Sequence, residues 1–273
     1  MAEQQVHAAD PRTIVSGRGL VECPRWHDGA FWFADWTAGT ILRLSDDYHA
    51  VIFADAAAPP LSFDFAADGS MFVVERGATR LQRVTPGGPL VPFADLGGRG
   101  WNEIVVDGRG NIYVNGPQIL LVRPNGRVLP QAANFAFPNG MAVLDDNHTL
   151  VVAESHGRRL TAFDIGEDGT LSNRRLWADL GDGVPDGICA DETGAIWYAD
   201  VPNCRCRRVA EGGGMIDEIG LDRGAFACML GGPGRRTLLI AAAKWFGMEH
   251  LGDIAGTGQL LTIGVPAGGA GWP

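Results

Sequence analysis

Ala30-Phe-Trp-Phe-Ala-Asp35 is a short apolar and aromatic run that follows the polar turn Asp28-Gly29 and ends on a carboxylate. The same design returns as Ser70-Met-Phe-Val-Val-Glu75, Asn111-Ile-Tyr-Val-Asn115, Thr149-Leu-Val-Val-Ala-Glu154, Ala195-Ile-Trp-Tyr-Ala-Asp200 and Thr237-Leu-Leu-Ile-Ala-Ala242. A period of about 40 residues, repeated six times, is what four-stranded propeller blades produce. A third strand follows each copy, from Ile41-Leu-Arg-Leu44 in the first to Leu260-Leu-Thr-Ile263 in the last. The 39 Gly and 16 Pro punctuate these runs as tight turns do. The reading is all-β: a six-bladed β-propeller of four-stranded antiparallel blades. Behind the last repeat only Val265 to Pro273 remain, rich in Gly and Pro, whereas Thr13-Ile14-Val15 is unused at the other end. We therefore expect this N-terminal strand to complete the sixth blade and remove its open edge. Residues 1–12 are expected as an arm and 13–273 as one domain.

Composition narrows the function. Twenty-two Lys and Arg against 32 Asp and Glu give a formal charge of −10, which repels a phosphate backbone, so no nucleic-acid partner is expected. No apolar stretch has the length of a membrane span, and the N-terminus lacks the basic and apolar regions of a signal peptide. A soluble, cytoplasmic protein acting on a small molecule is expected, with no membrane partner; its oligomeric state is left open. Five scattered cysteines, an odd number, read as reduced and mostly buried, and Cys204-x-Cys206 lacks a second pair at zinc-ligand spacing.

The innermost strand of each blade lines the tunnel and begins at one rim. Counting back six residues from successive turns gives Glu22, Ser62, Asn139 and Asp186, and five back from Asp107 gives Asn102. Four of these five are carboxylates or carboxamides where an interior strand residue is ordinarily apolar or small. Taken singly, Asn139-Gly140 and Asp186-Gly187 are equally turn dipeptides. At a shared register, the oxygen donors suit a hard divalent cation, and Glu22 with Asp186 would neutralise it. If the second strand returns to that rim, its last residues surround the mouth: Asp35-Trp36, Glu75-Arg76, Asn115, Glu154-Ser155-His156, Asp200 and Lys244-Trp245-Phe246, with Trp36, Trp245 and Phe246 as an apolar wall. For His156, Arg76 and Lys244 an exposed loop or a surface ion pair is the blander alternative. The nucleophile elbow Gly-x-Ser-x-Gly and phosphate- or dinucleotide-binding fingerprints are missing in a suitable context, which disfavours a covalent serine mechanism.

Glu22-Cys-Pro-Arg-Trp26, Phe137-Pro-Asn-Gly-Met141 and Val184-Pro-Asp-Gly-Ile188 with Trp197-Tyr-Ala-Asp200 resemble, in order and spacing, the motifs of the senescence marker protein/gluconolactonase/luciferin-regenerating enzyme family, the regucalcin-like lactonases. The similarity runs from about Gly19 to Lys244. It implies a metal-dependent lactonase in which Glu22, Asn139 and Asp186 hold one divalent metal ion, Ca²⁺ first, with Mg²⁺, Mn²⁺, Zn²⁺ or Fe²⁺ as further candidates. It also implies Asp186 as general base and Asn102 near metal and substrate. The chain departs from the family where an arginine and Asn-Asp-Gly are usual: here Gly100-Trp101-Asn102-Glu103-Ile104 stands. Trp101 and Glu103, with Asn115, Glu154, Trp36 and Trp245, are thus expected to touch substrate, and a less hydroxylated lactone is expected. The rival readings are a phosphotriester or fluorophosphate hydrolase on the same scaffold and a non-catalytic calcium-binding propeller.

Overall fold

The computed structural model describes residues 10–55, 61–75, 77–84, 89–144 and 147–272; Arg76 and most of the expected N-terminal arm lie outside them. Six antiparallel sheets stand in a ring. Their inner strands are Val21–His27, Leu61–Phe65, Ile104–Val106, Pro138–Leu144, Pro185–Asp191 and Gly224–Gly231 for blades 1 to 6. Each touches the inner strands of both neighbours, and blade 6 returns to blade 1. Every repeated run of the sequence is the second strand of its blade, from Ala30–Asp35 to Thr237–Ala243. Buried on both faces, these strands carry continuous apolar stretches because each sheet is sandwiched between two others. Phe33, Trp197, Ile240 and their neighbours form the inter-blade core.

Ring closure follows the expected route. Arg12–Arg18 is the outer strand of blade 6 and pairs antiparallel with Gly258–Gly264, Thr13 opposite Leu261 and Arg18 opposite Gly258. All five cysteines are free; four are buried, and Cys204 sits half-buried in the turn before the strand that carries Cys206. Among the described residues no helix is long and apolar enough to cross a membrane.

The C-terminal tail adds to the four-stranded blades. Gly269–Ala270 adds a fifth strand to blade 5, on the tunnel side of its inner strand, with Ala270 opposite Ala190. Trp272 then exchanges backbone hydrogen bonds with Val143 at 2.7 and 3.0 Å. Both contacts fall at the late ends of inner strands, away from the rim where those strands begin. The Gly-rich composition has a steric cause: Gly271 has φ +64° and a Cβ there would stand 2.1 Å from the Val143 carbonyl oxygen.

Candidate active site at the tunnel mouth

The ladder between inner and second strands is interrupted at one level in four blades: between Glu22 and Arg25, Pro138 and Met141, Pro185 and Ile188, and Ala225 and Ala227. Such a bulge leaves residues unpaired, bends the strand and re-aims a side chain. Proline suits the break because it has no N–H to give to the ladder. The dipeptides Asn139-Gly140 and Asp186-Gly187 are therefore strand bulges, not turns. Their glycines allow neighbouring blades to converge: a Cβ on Gly140 would lie 2.6 Å from the Asp186 carbonyl oxygen, and one on Gly187 2.5 Å from Ala227 Cβ.

A cavity of about 770 Å³ opens at this rim, and Glu22, Asn102, Asn139 and Asp186 all line it. The two carboxylates are poorly solvated. Burial, then the charge of Glu103, pushes the Glu22 carboxyl up to about 8, although the Cys23 N–H donates to it at 3.0 Å and Arg25 opposes the rise. Burial, followed by the charges of Glu22, Glu103 and Asp200, raises Asp186 well above the usual carboxylate range. Two adjacent buried carboxylates of this kind need either a proton or a cation. Among the described residues no three His, Cys, Asp or Glu side chains gather at metal-binding positions, so a cation here would draw on two carboxylates and amide oxygens. That donor set fits a hard divalent ion. Asn139 Oδ1 accepts from Asn102 Nδ2 at 3.2 Å and retains a second lone pair.

Hydrogen bonds from second strands tie the donor-bearing loops together. Asn115, fully buried, donates from Nδ2 to the Asn139 carbonyl at 2.5 Å and accepts at Oδ1 from the Glu103 N–H at 3.1 Å. Ser155 donates to the Pro185 carbonyl at 2.6 Å and accepts from Asn139 Nδ2 at 3.4 Å. Blades 3, 4 and 5 are thereby linked through the backbones and side chains that present Asn102, Asn139 and Asp186.

Several expected contacts are placed elsewhere. Trp101, Glu103, Asn115 and Glu154 are not among the described residues that line the cavity. Backbone bonds between Asn102 and Asn115 and between Asn115 and Glu103 fix an extended register, in which alternate side chains point to opposite sides. Asn102 faces the cavity, so Trp101 and Glu103 turn away. Trp101 packs into the core between blades 2 and 3, its indole N–H on the Gly98 carbonyl at 2.9 Å. Glu103 joins a buried cluster under the floor: it accepts from Arg25 at 2.8 Å and from Ser62 Oγ, while Arg25 Nε lies 3.3 Å from Asp64. The same alternation turns Ser155 inward and Glu154 away. Glu154 accepts from Arg159, Arg174, Thr161 and the Ala136 N–H. Burial alone would raise its carboxyl; the hydrogen bonds outweigh burial and bring it down to about 2.

Trp36 and Trp245 line the cavity as expected, and so does exposed His156, stacked on Phe137 at 4.6 Å. Lys244 and Phe246 are exposed and do not line it. Phe226, Leu20 and Val201 escaped the sequence reading. Phe226 is the bulged residue of blade 6, the counterpart of the rim positions in blades 1, 4 and 5. Blade 6 turns through the 3₁₀-helical 233–235 instead of a short polar turn, so spacing from such a turn does not point to Phe226.

The family model described as "SMP-30/Gluconolactonase/LRE-like region" matches residues 20–244. The chain is 26% identical to the 6-deoxy-6-sulfogluconolactonase of Pseudomonas putida over 246 residues, covering 82% of this chain and 84% of that protein. It is 24% identical to the pentonolactonase XacC of Haloferax volcanii over 293 residues, with 94% and 95% covered. The solved structure of the calcium-binding protein regucalcin from Agrobacterium tumefaciens superposes with a TM-score of 0.80 at 18% identity, over 96% of each chain. With most of its length matched, blade 1 through the second strand of blade 6, the chain belongs to the SMP-30/gluconolactonase/LRE-like family.

Proposed function

We propose that this protein is a divalent-metal-dependent lactonase whose metal ligands are Glu22, Asn139 and Asp186. The observation that carries the reading is the bulge shared by blades 1, 4 and 5, which brings these three oxygen-bearing side chains, with Asn102, to one cavity floor. The lactonase names of two relatives that span most of the chain support the reaction, and the calcium-binding structural neighbour supports the cation. A bound divalent ion supplies Lewis acidity toward the lactone carbonyl and stabilises charge that develops on its oxygen.

The chain's own groups do the rest. Asn102, which lines the cavity and donates to Asn139 Oδ1, positions water or substrate beside that ligand. Asp186, whose proton affinity burial raises, takes a proton from water as the water oxygen bonds to the lactone carbonyl carbon, and the proton passes to the ring oxygen as the acyl C–O bond breaks. Asn115 and Ser155 hold the loops in register, so little reorganisation accompanies reaction. The five free cysteines support a reducing, cytoplasmic setting.

The test is direct. Elemental analysis of the purified protein, followed by pH-stat assay of γ- and δ-lactones with Ca²⁺, Mg²⁺, Mn²⁺ and Zn²⁺, should find stoichiometric metal and metal-dependent ring opening. Retained metal with no hydrolysis across the panel would leave a binding propeller instead.

A further inference from the structure

We infer that the wall built by blades 5, 6 and 1 is a subsite for an apolar substituent, so that the substrate class is a neutral lactone bearing an alkyl or aryl group; this rests on the lactonase reading above. The bulge that aims Glu22, Asn139 and Asp186 at the axis aims Phe226 in blade 6. Phe226 meets Trp245 edge to face at 5.6 Å, and Leu20, Trp36 and Val201 pack into the same cluster. All five line the cavity beside the acidic floor. Two polar groups of that wall are already engaged: the Trp36 indole N–H donates to the Leu61 carbonyl at 2.7 Å, and Thr37 Oγ1 accepts from the Leu20 N–H at 2.9 Å. The Thr37 O–H and the Trp245 indole N–H are donors left on it, so most hydroxyls of a sugar lactone set against this wall would lose water without a partner, whereas methylenes would gain by leaving it. A cavity of about 770 Å³ also exceeds what one bare lactone ring fills, since pockets of 300–1,000 Å³ enclose drug-sized ligands.

The experiment separates binding from turnover. Affinities of δ-valerolactam and 6-pentyl-δ-valerolactam, ring analogues that resist hydrolysis, are measured by calorimetry on the protein with its retained metal. Each methylene removed from water gives about a four-fold gain, so partial burial of the pentyl chain should tighten binding by at least about ten-fold. Phe226→Ala and Trp245→Ala should each shrink that gain to under about three-fold. Trp245 is only half-buried, so its variant carries the test if Phe226→Ala fails to fold. No gain from the pentyl chain, or a gain that survives both substitutions, overturns the subsite. In turnover, δ-decalactone should exceed glucono-δ-lactone in kcat/KM, and the reverse order also overturns it. A pentyl gain that the substitutions erase, with no lactone hydrolysed, supports the subsite and overturns the lactonase reading instead.

Discussion

Replacing Glu154 by Gln separates a structural carboxylate from a substrate ligand. Its side chain is fully buried and takes hydrogen bonds from Arg159, Thr161 and the Ala136 N–H, with Arg174 at 3.3 Å. Those bonds overcome burial and lower its carboxyl from 4.5 to about 2. A carboxyl depressed that far contributes roughly 3 kcal/mol to folding at neutral pH. The sign follows from the depression: the contribution is complete above pH 4.5 and disappears as pH falls toward 2. In the variant Arg159 and Arg174, whose side chains are 41% and 34% exposed, turn partly to water, so the loss should be about 2–3 kcal/mol. In a protein of 273 residues that is roughly 4–6 °C in Tm. Urea and thermal unfolding at pH 7 should show this gap, and the gap should close near pH 2–3. Lactone kcat/KM should stay within about three-fold, since the side chain points away from the cavity. Unchanged stability with a KM raised ten-fold or more would refute the reasoning and return Glu154 to the substrate.

Asp186→Ala should abolish measurable lactone hydrolysis and metal retention while circular dichroism stays that of the parent; full activity would remove Asp186 from the site. Ser155→Ala cuts the link between Asn139 and the Pro185 carbonyl, so kcat/KM should fall about ten-fold with Tm nearly unchanged, and Ser155→Thr should recover most of it. Because the metal-free Glu22 carboxyl sits at about 8, a cation must displace its proton below that pH. The raised Asp186 carboxyl gives up its own proton too, so apparent metal affinity should rise at least about ten-fold per pH unit from 6 to 8, with proton release in calorimetry; a flat profile would exclude Glu22 as a ligand. Deleting residues 1–18 strips blade 6 of its outer strand and bares the Gly258–Gly264 edge, which should lower Tm by about 10 °C or more. An unchanged Tm would show that closure does not depend on this strand.

The propeller was legible because its information is local. Each blade repeats a polar turn and a β-branched or aromatic run, and six copies at one spacing leave few ways to bury those runs. The rim residues Glu22, Asn102, Asn139 and Asp186 were legible for the same reason, since a repeat gives equivalent positions a common level. Facing directions were not. Glu103 and Glu154 look like mouth residues by level, yet the alternation set by their neighbours' backbone pairing turns both into buried ion clusters. Trp101 was expected at the substrate and lies in the core for the same cause. Phe226 becomes visible only when the blade 6 bulge is seen to match the others, and the tail is placed only by its pairing with strands 80 and 129 residues earlier, at Ala190 and Val143. Sequence alone thus determined the repeat, the closure and the level of the site, all written in periodicity and turn chemistry. Only the tertiary structure decided which side chains at that level meet the cavity, because bulges and register exist between strands and not within them.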